Sequence, residues 1–231
     1  YKQANKGKAA SINEALALAQ GVFFLVFDSD DWCTDNALER FLNAWDEIDQ
    51  PEEYCAVSAL KGYSRTTVVG ETYNRMSKFG ESYLDRFSRQ VRGDKWEFIR
   101  TAIHRNHLYD LAAGERYQAP EYAWLGMALS YKTVFLDEVL GVVEYQADGI
   151  SRNNLTHRMQ SPRSTYQFYM RGCELSKKKR LKLRCEVNAA RFALHAQSTG
   201  LLSNISLSAT LMGVVMYVRD RLVSALASLK T

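Results

Sequence analysis

Between Lys8 and Gln20 the chain reads KAASINEALALAQ, with Ile12, Leu16 and Ala19 recurring at helical spacing. Gly21 follows, the residue a helix C-terminus favours. The pattern then switches to an unbroken apolar run, Val22 to Phe27. Such a run predicts a strand buried on both faces, the habit of parallel sheets covered by helices. It ends in Asp28, Ser29, Asp30 and Asp31. Asp35 is then placed to cap a helix over NALERFLNAWDEI, whose apolar stripe is Leu38, Phe41, Leu42 and Trp45. Helix, strand, acidic loop and helix within the first fifty residues predict α/β architecture.

A second strand is expected over Tyr54–Leu60, followed by a polar stretch from Ser64 to Arg92. Trp96 to Tyr109 reads as partly helical and Tyr122 to Leu129 as a short helix; Thr133–Leu136 and Gly141–Tyr145 are strand-like. Beyond Gly149 the character changes. Tyr166–Cys173, Lys177–Gln197 and Ile205–Leu229 all read as helices. A boundary near Arg152 therefore divides an α/β domain, residues 1–152, from a helical extension, residues 153–231. There are no internal repeats.

Composition narrows the class without naming a function. The 231 residues are 46% hydrophobic and 24% charged, with three prolines, as expected for a soluble globular chain. A net charge of +4 does not by itself indicate nucleic acid. Cys33, Cys55, Cys173 and Cys185 show no metal-ligand spacing, which points to a reduced, cytosolic setting. The uncharged run from Ser208 to Val218 ends at Arg219, Asp220 and Arg221, well short of the roughly 20 residues a spanning helix needs. The chain opens on Tyr1 rather than Met, with no signal peptide, as a piece of a longer protein would.

The candidate chemistry lies in the carboxylates. Three like charges over four residues repel one another, so a metal ion, a helix N-terminus or water must offset them. In extended geometry Asp28 and Asp30, flanking Ser29, would point to one side and address one centre. Hard oxygen ligands suit Mg²⁺ or Mn²⁺, which commonly take one or two carboxylates plus substrate phosphates. A solvated loop is the plainer alternative, with Asp31 and Asp35 favouring the next helix N-terminus. A third is a phosphohydrolase in which Asp28 attacks phosphorus and Asp30 is the general acid. That motif usually continues with Thr or Val, where this chain has Asp31 and Trp32.

The segment NKGKAASINEALALAQGVFFLVFDSDDW resembles family 2 of the nucleotide-sugar glycosyltransferases, with Asn5, Gly7, Lys8, Asn13, Asp28, Ser29, Asp30 and Asp31 at matching positions. GDKWEFIRT, GERYQAPEYAW and YKTVFLDEVLGVVEYQADGIS resemble its bacterial capsule and exopolysaccharide members, so the likeness runs from Asn5 to Ser151. The resemblance implies a GT-A fold: a Rossmann-like, mostly parallel sheet with flanking helices, here with a C-terminal helical extension. It implies an inverting, metal-dependent transfer from a nucleotide-diphosphate sugar, a UDP-sugar foremost, to a glycan or lipid-linked acceptor. The setting would be surface polysaccharide synthesis at the inner face of the plasma membrane.

By the same resemblance Asp28 lies near the ribose, Asp30 holds the metal, and Asn5, Lys8, Asn13 and Ser29 complete the donor site. Asp94, Lys95 and Trp124 would face the acceptor or sugar. The family's base is a carboxylate at a helix start, four residues before a Trp in these relatives. Pro120 stands at that spacing from Trp124, so Glu121, three residues before it, is the assigned base and Glu115 the reserve. His157 could add a late metal ligand, as in some GT-A enzymes, though an ordinary surface or core histidine is the plainer reading. The resemblance also implies that a strand–helix–strand unit with another acidic pair precedes Tyr1. A non-catalytic GT-A-like module that binds a glycan or partner is the alternative from another class.

Lys177 to Arg184, KKKRLKLR, precedes a helix in which Leu211, Val215, Val218, Leu222 and Leu226 share a face. Such segments dock on anionic lipid. The plainer alternative packs that face on the catalytic domain or a second subunit.

Overall fold

A computed structural model describes residues 5–144 and 154–228. The chain folds as two compact units. A sheet unit comprises Ser11–Leu108 and Ala123–Asn153; a helical unit comprises Tyr1–Ala10, Tyr109–Tyr122 and Asn154–Thr231. The boundary expected near Arg152 lies outside the described residues, as do Tyr145, Ser151 and Leu229. The helical unit thus recruits two segments from the part of the sequence assigned to the α/β domain.

In the sheet unit, five strands lie in the order β1 (Phe23–Leu25), β4 (Lys95–Arg100), β3 (Tyr54–Gly62), β5 (Lys132–Val142) and β2 (Trp32–Cys33). β3 and β5 are parallel, while β1–β4, β4–β3 and β5–β2 are antiparallel. The sheet is therefore mixed rather than mostly parallel. β1, β3 and β5 nonetheless run the same way, so their carboxyl ends share one edge. The two strand-like runs after Thr133 form the single strand β5, whose register shifts let it follow β3 past Leu60.

The strand expected to be buried on both faces is instead an edge strand of three residues. Phe23 stacks on Phe98 and meets Trp45 edge-on, but Val22 is 74% exposed. An apolar run reports affinity for a covered face, and it cannot say whether a neighbour lies on each side. β3 fits the expectation better, being buried along all nine residues.

Helix α1 (Lys8–Leu18) buries Ala9, Ile12 and Leu16. Arg105, at the end of α4 (Thr101–Arg105), donates to the carbonyls of Leu16 and Ala19, satisfying acceptors the helix leaves open. Helix α2 (Ala37–Asp46) buries Ala37, Phe41 and Ala44 and packs Trp45 against the core, so Phe41 and Trp45 of the expected stripe face inward while Leu38 and Leu42 are exposed. Its N-cap is Asn36 without a side-chain cap bond, and Asp35 pairs with Arg65 instead. The core of this unit packs Phe41, Val57, Trp96, Phe98, Val134 and Leu136 around the sheet. Helix α3 (Tyr83–Arg89) starts with a capping box made by Ser82 and Asp85.

The helical unit contains α6 (Asn154–Gln160), α7 (Pro162–Leu175), α8 (Lys179–His195) and α9 (Leu207–Ser228). Tyr166, Ala189, Phe192 and Ala193 form its core. α9 meets α8 through Ala209, Gly213 and Asp220, all buried. A Cβ on Gly213 would lie 2.6 Å from that of Ala190, so only glycine permits this approach. The Leu211, Val215, Val218, Leu222 and Leu226 face does not pack on α8 and is exposed. Helix α5 (Glu121–Met127) begins at Glu121 and buries Trp124, Leu125 and Met127.

Candidate active site

The acidic stretch crosses from one edge of the sheet to the other. β1 and β2 sit at opposite edges, about 19 Å apart at normal strand spacing. The residues between Leu25 and Trp32 bridge that gap. This path runs over the carboxyl ends of β3 and β5, where α/β sheets place ligands. The sheet holds the crossing at both sides. Trp96 Nε1 donates to the Val26 carbonyl at 2.8 Å and its ring lies against Phe27. Beyond the turn, Trp32 and Cys33 pair with Val142 and Gly141, and Thr34 N donates to the Leu140 carbonyl.

Asp31 N donates to the Asp28 carbonyl at 3.1 Å, closing a tight turn with Ser29 and Asp30 at its tip. The alternation expected of an extended strand does not apply, and the three carboxylates part company. Lys61, near the end of β3, places its ammonium 2.5 Å from Asp31 Oδ2 and 3.9 Å from Asp28 Oδ2. Asp31 and Lys61 are nearly covered, Asp28 is partly exposed, and Asp30 and Ser29 are exposed. Among the described residues, Asp30 has no ion-pair partner. The positive charge that offsets the cluster is thus first of all a lysine. Asp31 serves it rather than the helix N-terminus.

A row of charge continues below. Burial works against the Lys61 charge, but Asp31, then Asp28 and Glu97, hold its pKa above the ordinary value. Burial pushes Glu97 up, while Arg86 and Lys61 pull it down. Arg86 Nη1 lies 3.5 Å from Glu97 Oε1, and Ser58 Oγ, bonded to Tyr73 OH at 2.7 Å, lies 3.4 Å from the same oxygen. None of these supports was identified from the sequence. A lysine inside the mostly apolar YCAVSALKG was the available signal.

Asn13 is half-buried on α1, and Asp94 is exposed. Lys95, expected to face the acceptor or sugar, is buried. Its ammonium bonds the carbonyls of Glu71 at 2.6 Å, Arg92 at 3.2 Å and Val69 at 3.4 Å. Burial, with Arg86 nearby, lowers its pKa to about 8. Trp124 is also buried, with its ring near those of Tyr83 and His104. The contacts of Lys95 and Trp124 are those of residues that hold the framework.

In the helical unit, Asn5 Oδ1 accepts from Gly7 N at 3.1 Å, and Lys8 is the exposed first residue of α1. Gly7 has φ +92°, and a Cβ there would fall 1.9 Å from the Arg116 carbonyl oxygen. Glu115 accepts from Arg163 N at 2.8 Å and Ser164 N at 2.7 Å. It caps α7, so the reserve base is already occupied by backbone donors. The Glu121 carboxylate, half-exposed, accepts no hydrogen bond among the described residues. It lies within electrostatic reach of Tyr117 and Arg158. Burial opposes the Arg158 charge, but Tyr169, Tyr117 and Glu121 hold its pKa above the ordinary value. His157 stacks on Tyr117 with ring centroids 6.0 Å apart.

Among the described residues no three His, Cys, Asp or Glu side chains form a group that could hold a metal alone. An exposed Asp30 does fit a hard cation that takes its remaining oxygens from a diphosphate.

A carboxylate turn over the carboxyl ends of same-direction strands, on a mixed sheet flanked by helices, defines the GT-A class of fold. Residues 1–110 match the model of glycosyl transferase family 2. The structure is similar to that of S. aureus TarS 1–349 in complex with UDP-GlcNAc, at 15% identity and a TM-score of 0.51. That match covers 93% of this chain and 61% of the TarS chain. A second crystal structure of TarS 1–349 matches at 13% identity and a TM-score of 0.51, covering 92% and 59%. This chain therefore spans about three fifths of the structures it matches. No curated protein matches it. The family matched is one of glycosyl transferases, unlike the phosphohydrolase alternative.

Proposed function

We propose that the chain is part of an inverting, metal-dependent glycosyltransferase. It would move a sugar from a UDP-sugar to a glycan or lipid-linked acceptor in bacterial surface polysaccharide synthesis. The observation that carries this is Asp30, left exposed at the turn tip while Lys61 engages Asp31 and Asp28. Asp30 would hold Mg²⁺ or Mn²⁺ on the donor diphosphate, and Asp28 would meet the ribose. When bound, the metal supplies positive charge to the departing diphosphate oxygen. Glu121 would accept the acceptor hydroxyl's proton as that oxygen bonds the anomeric carbon. The bond from that carbon to the phosphate oxygen breaks, and its electron pair leaves with UDP. Asn5, Lys8, Asn13 and Ser29 would border the nucleotide, and Asp94 the sugar.

An anionic membrane is the second partner in this reading, with the enzyme at the cytoplasmic face. No described helix is long and apolar enough to cross a bilayer. Docking on its surface suits α9, whose apolar face is exposed. From residue 175 to 228 the acidic residues are Glu186, bonded to Ser206, and the buried Asp220. Exposed cations therefore dominate, which favours anionic lipid over a second copy of the same cationic helix.

The test compares the wild type with Asp30→Ala and Glu121→Gln. The first should lose Mn²⁺-dependent UDP-sugar binding. The second should keep binding and lose about 100-fold or more in turnover. Equal transfer by all three would defeat the enzyme reading; binding without transfer in the wild type would favour the non-catalytic module.

A further inference from the structure

We propose that Lys61 is the positioning residue of the acidic turn. Its ammonium acts as a built-in counter-ion for Asp31 and Asp28, so that Asp30 is the carboxylate presented to a divalent cation. The claim about Asp30 rests on the metal-dependent reading above; the claim about the turn does not.

The geometry carries it. Asp31 Oδ2 and Asp28 Oδ2 lie 2.5 Å and 3.9 Å from one nitrogen, and the Lys61 side chain is only 11% exposed. A nearly covered ammonium between two carboxylates binds them more firmly than a surface pair, because little water screens it. Its stem has a prepared slot. Gly141 stands opposite Lys61 in the β3–β5 register, and a Cβ there would come within 3.3 Å of Lys61 Cγ and 3.2 Å of the Trp96 ring. Glu97, in turn held by Arg86, adds negative charge that keeps the lysine protonated. Lys61 thus stands where a cation would otherwise be required to keep Asp28 and Asp31 together. The turn is ordered before any donor arrives, and the tip carboxylate remains accessible.

The experiment measures amide hydrogen exchange in the turn, residues 28–31, in the full 231-residue chain without divalent metal. Lys61→Met should raise exchange there at least tenfold, and Lys61→Arg should stay near the wild type. Mn²⁺ should restore protection in Lys61→Met, because a cation can occupy the vacated place. Free Mn²⁺, followed by electron paramagnetic resonance without nucleotide, should bind Lys61→Met at least tenfold more tightly than the wild type. A purely structural lysine would give faster exchange with no rescue by Mn²⁺, which would overturn the proposal. Unchanged exchange in Lys61→Met would overturn it as well. Should Lys61→Met fail to fold by circular dichroism, Asp31→Asn becomes the test. It should also raise turn exchange at least tenfold, and retained protection would overturn the proposal. A wild type that takes up no Mn²⁺ even with UDP would refute the metal reading while the metal-free exchange difference stood.

Discussion

Arg191 meets Asp220 through two bonds, Nε to Oδ2 at 2.5 Å and Nη2 to Oδ1 at 2.6 Å, with both side chains buried. His195 Nε2 lies 3.1 Å from the same Oδ2. This contact fastens α9 to α8 beside the close approach at Gly213. Asp220→Ala would leave a buried guanidinium unpaired, and a loss of about 3–5 kcal/mol is expected in urea unfolding. Replacing both partners, Arg191→Met with Asp220→Leu, should recover most of that loss. Burial opposes the Asp220 charge, but the Arg191 and His195 bonds hold its pKa below the ordinary 3.8. Its contribution is therefore complete above that value and is lost as pH falls through the lower folded one.

Glu115 and Glu121 make a separable pair. Glu115→Ala removes the acceptor for two α7 donors and should cost about 0.5–2 kcal/mol in stability. Its transfer rate at saturating substrate should stay near the wild type. Glu121→Gln should show the reverse, with stability retained and turnover lost. Chemical denaturation and steady-state rates on the same preparations check both, and a collapse of turnover in Glu115→Ala would move the base assignment.

His104 supplies a second acid-sensitive element. It is buried beneath Phe24 and beside Trp124, and burial lowers its pKa from 6.5 to about 4. The unfolded chain then binds a proton that the folded one refuses between those values. Stability should fall as pH drops from about 6.5 to 4, by a total on the order of 3 kcal/mol, and this contribution then levels off. His104→Gln should flatten the slope in that window when unfolding is followed against pH.

The apolar face of α9 yields a binding prediction. Leu211→Gln, Val215→Gln and Leu222→Gln together change residues that are 60–70% exposed, so folding should be unaffected. Flotation with phosphatidylglycerol-containing vesicles at low salt should retain the wild type and lose about tenfold or more of the triple variant. High salt should weaken wild-type binding. Concentration-dependent dimerisation that the triple variant abolishes, without vesicle binding, would assign the face to a second copy.

The local signals at the acidic turn were readable because each is carried by neighbours in sequence. The helical spacing of Ile12 and Leu16, the apolar run after Gly21 and the DSDD ending lie within one short stretch. Their order carries the resemblance to the glycosyltransferase family. The N-terminal position of Glu121 on its helix followed in the same way, from Pro120 before it and Trp124 after it. The helices α7 to α9 were each announced by composition.

Other features depended on partners far away in the chain. Nothing local to Val22–Phe27 says that it forms an edge strand, because the neighbours of a strand are chosen by the whole sheet. The periodicity of α2 offered Leu38 and Leu42 as readily as Ala37 and Ala44, and the sheet accepted the smaller pair. The burial of Lys95 depends on the carbonyls of Val69 and Glu71, more than twenty residues before it, as well as on that of nearby Arg92.

By itself, then, the sequence determined the family resemblance, most of the helices and the acidic stretch as the candidate chemistry. Only the tertiary structure decided how the three aspartates divide. Lys61 lies thirty residues beyond Asp31, and β3 carries it to the turn. Electrostatic pairing depends on distance in space, and the sheet sets that distance.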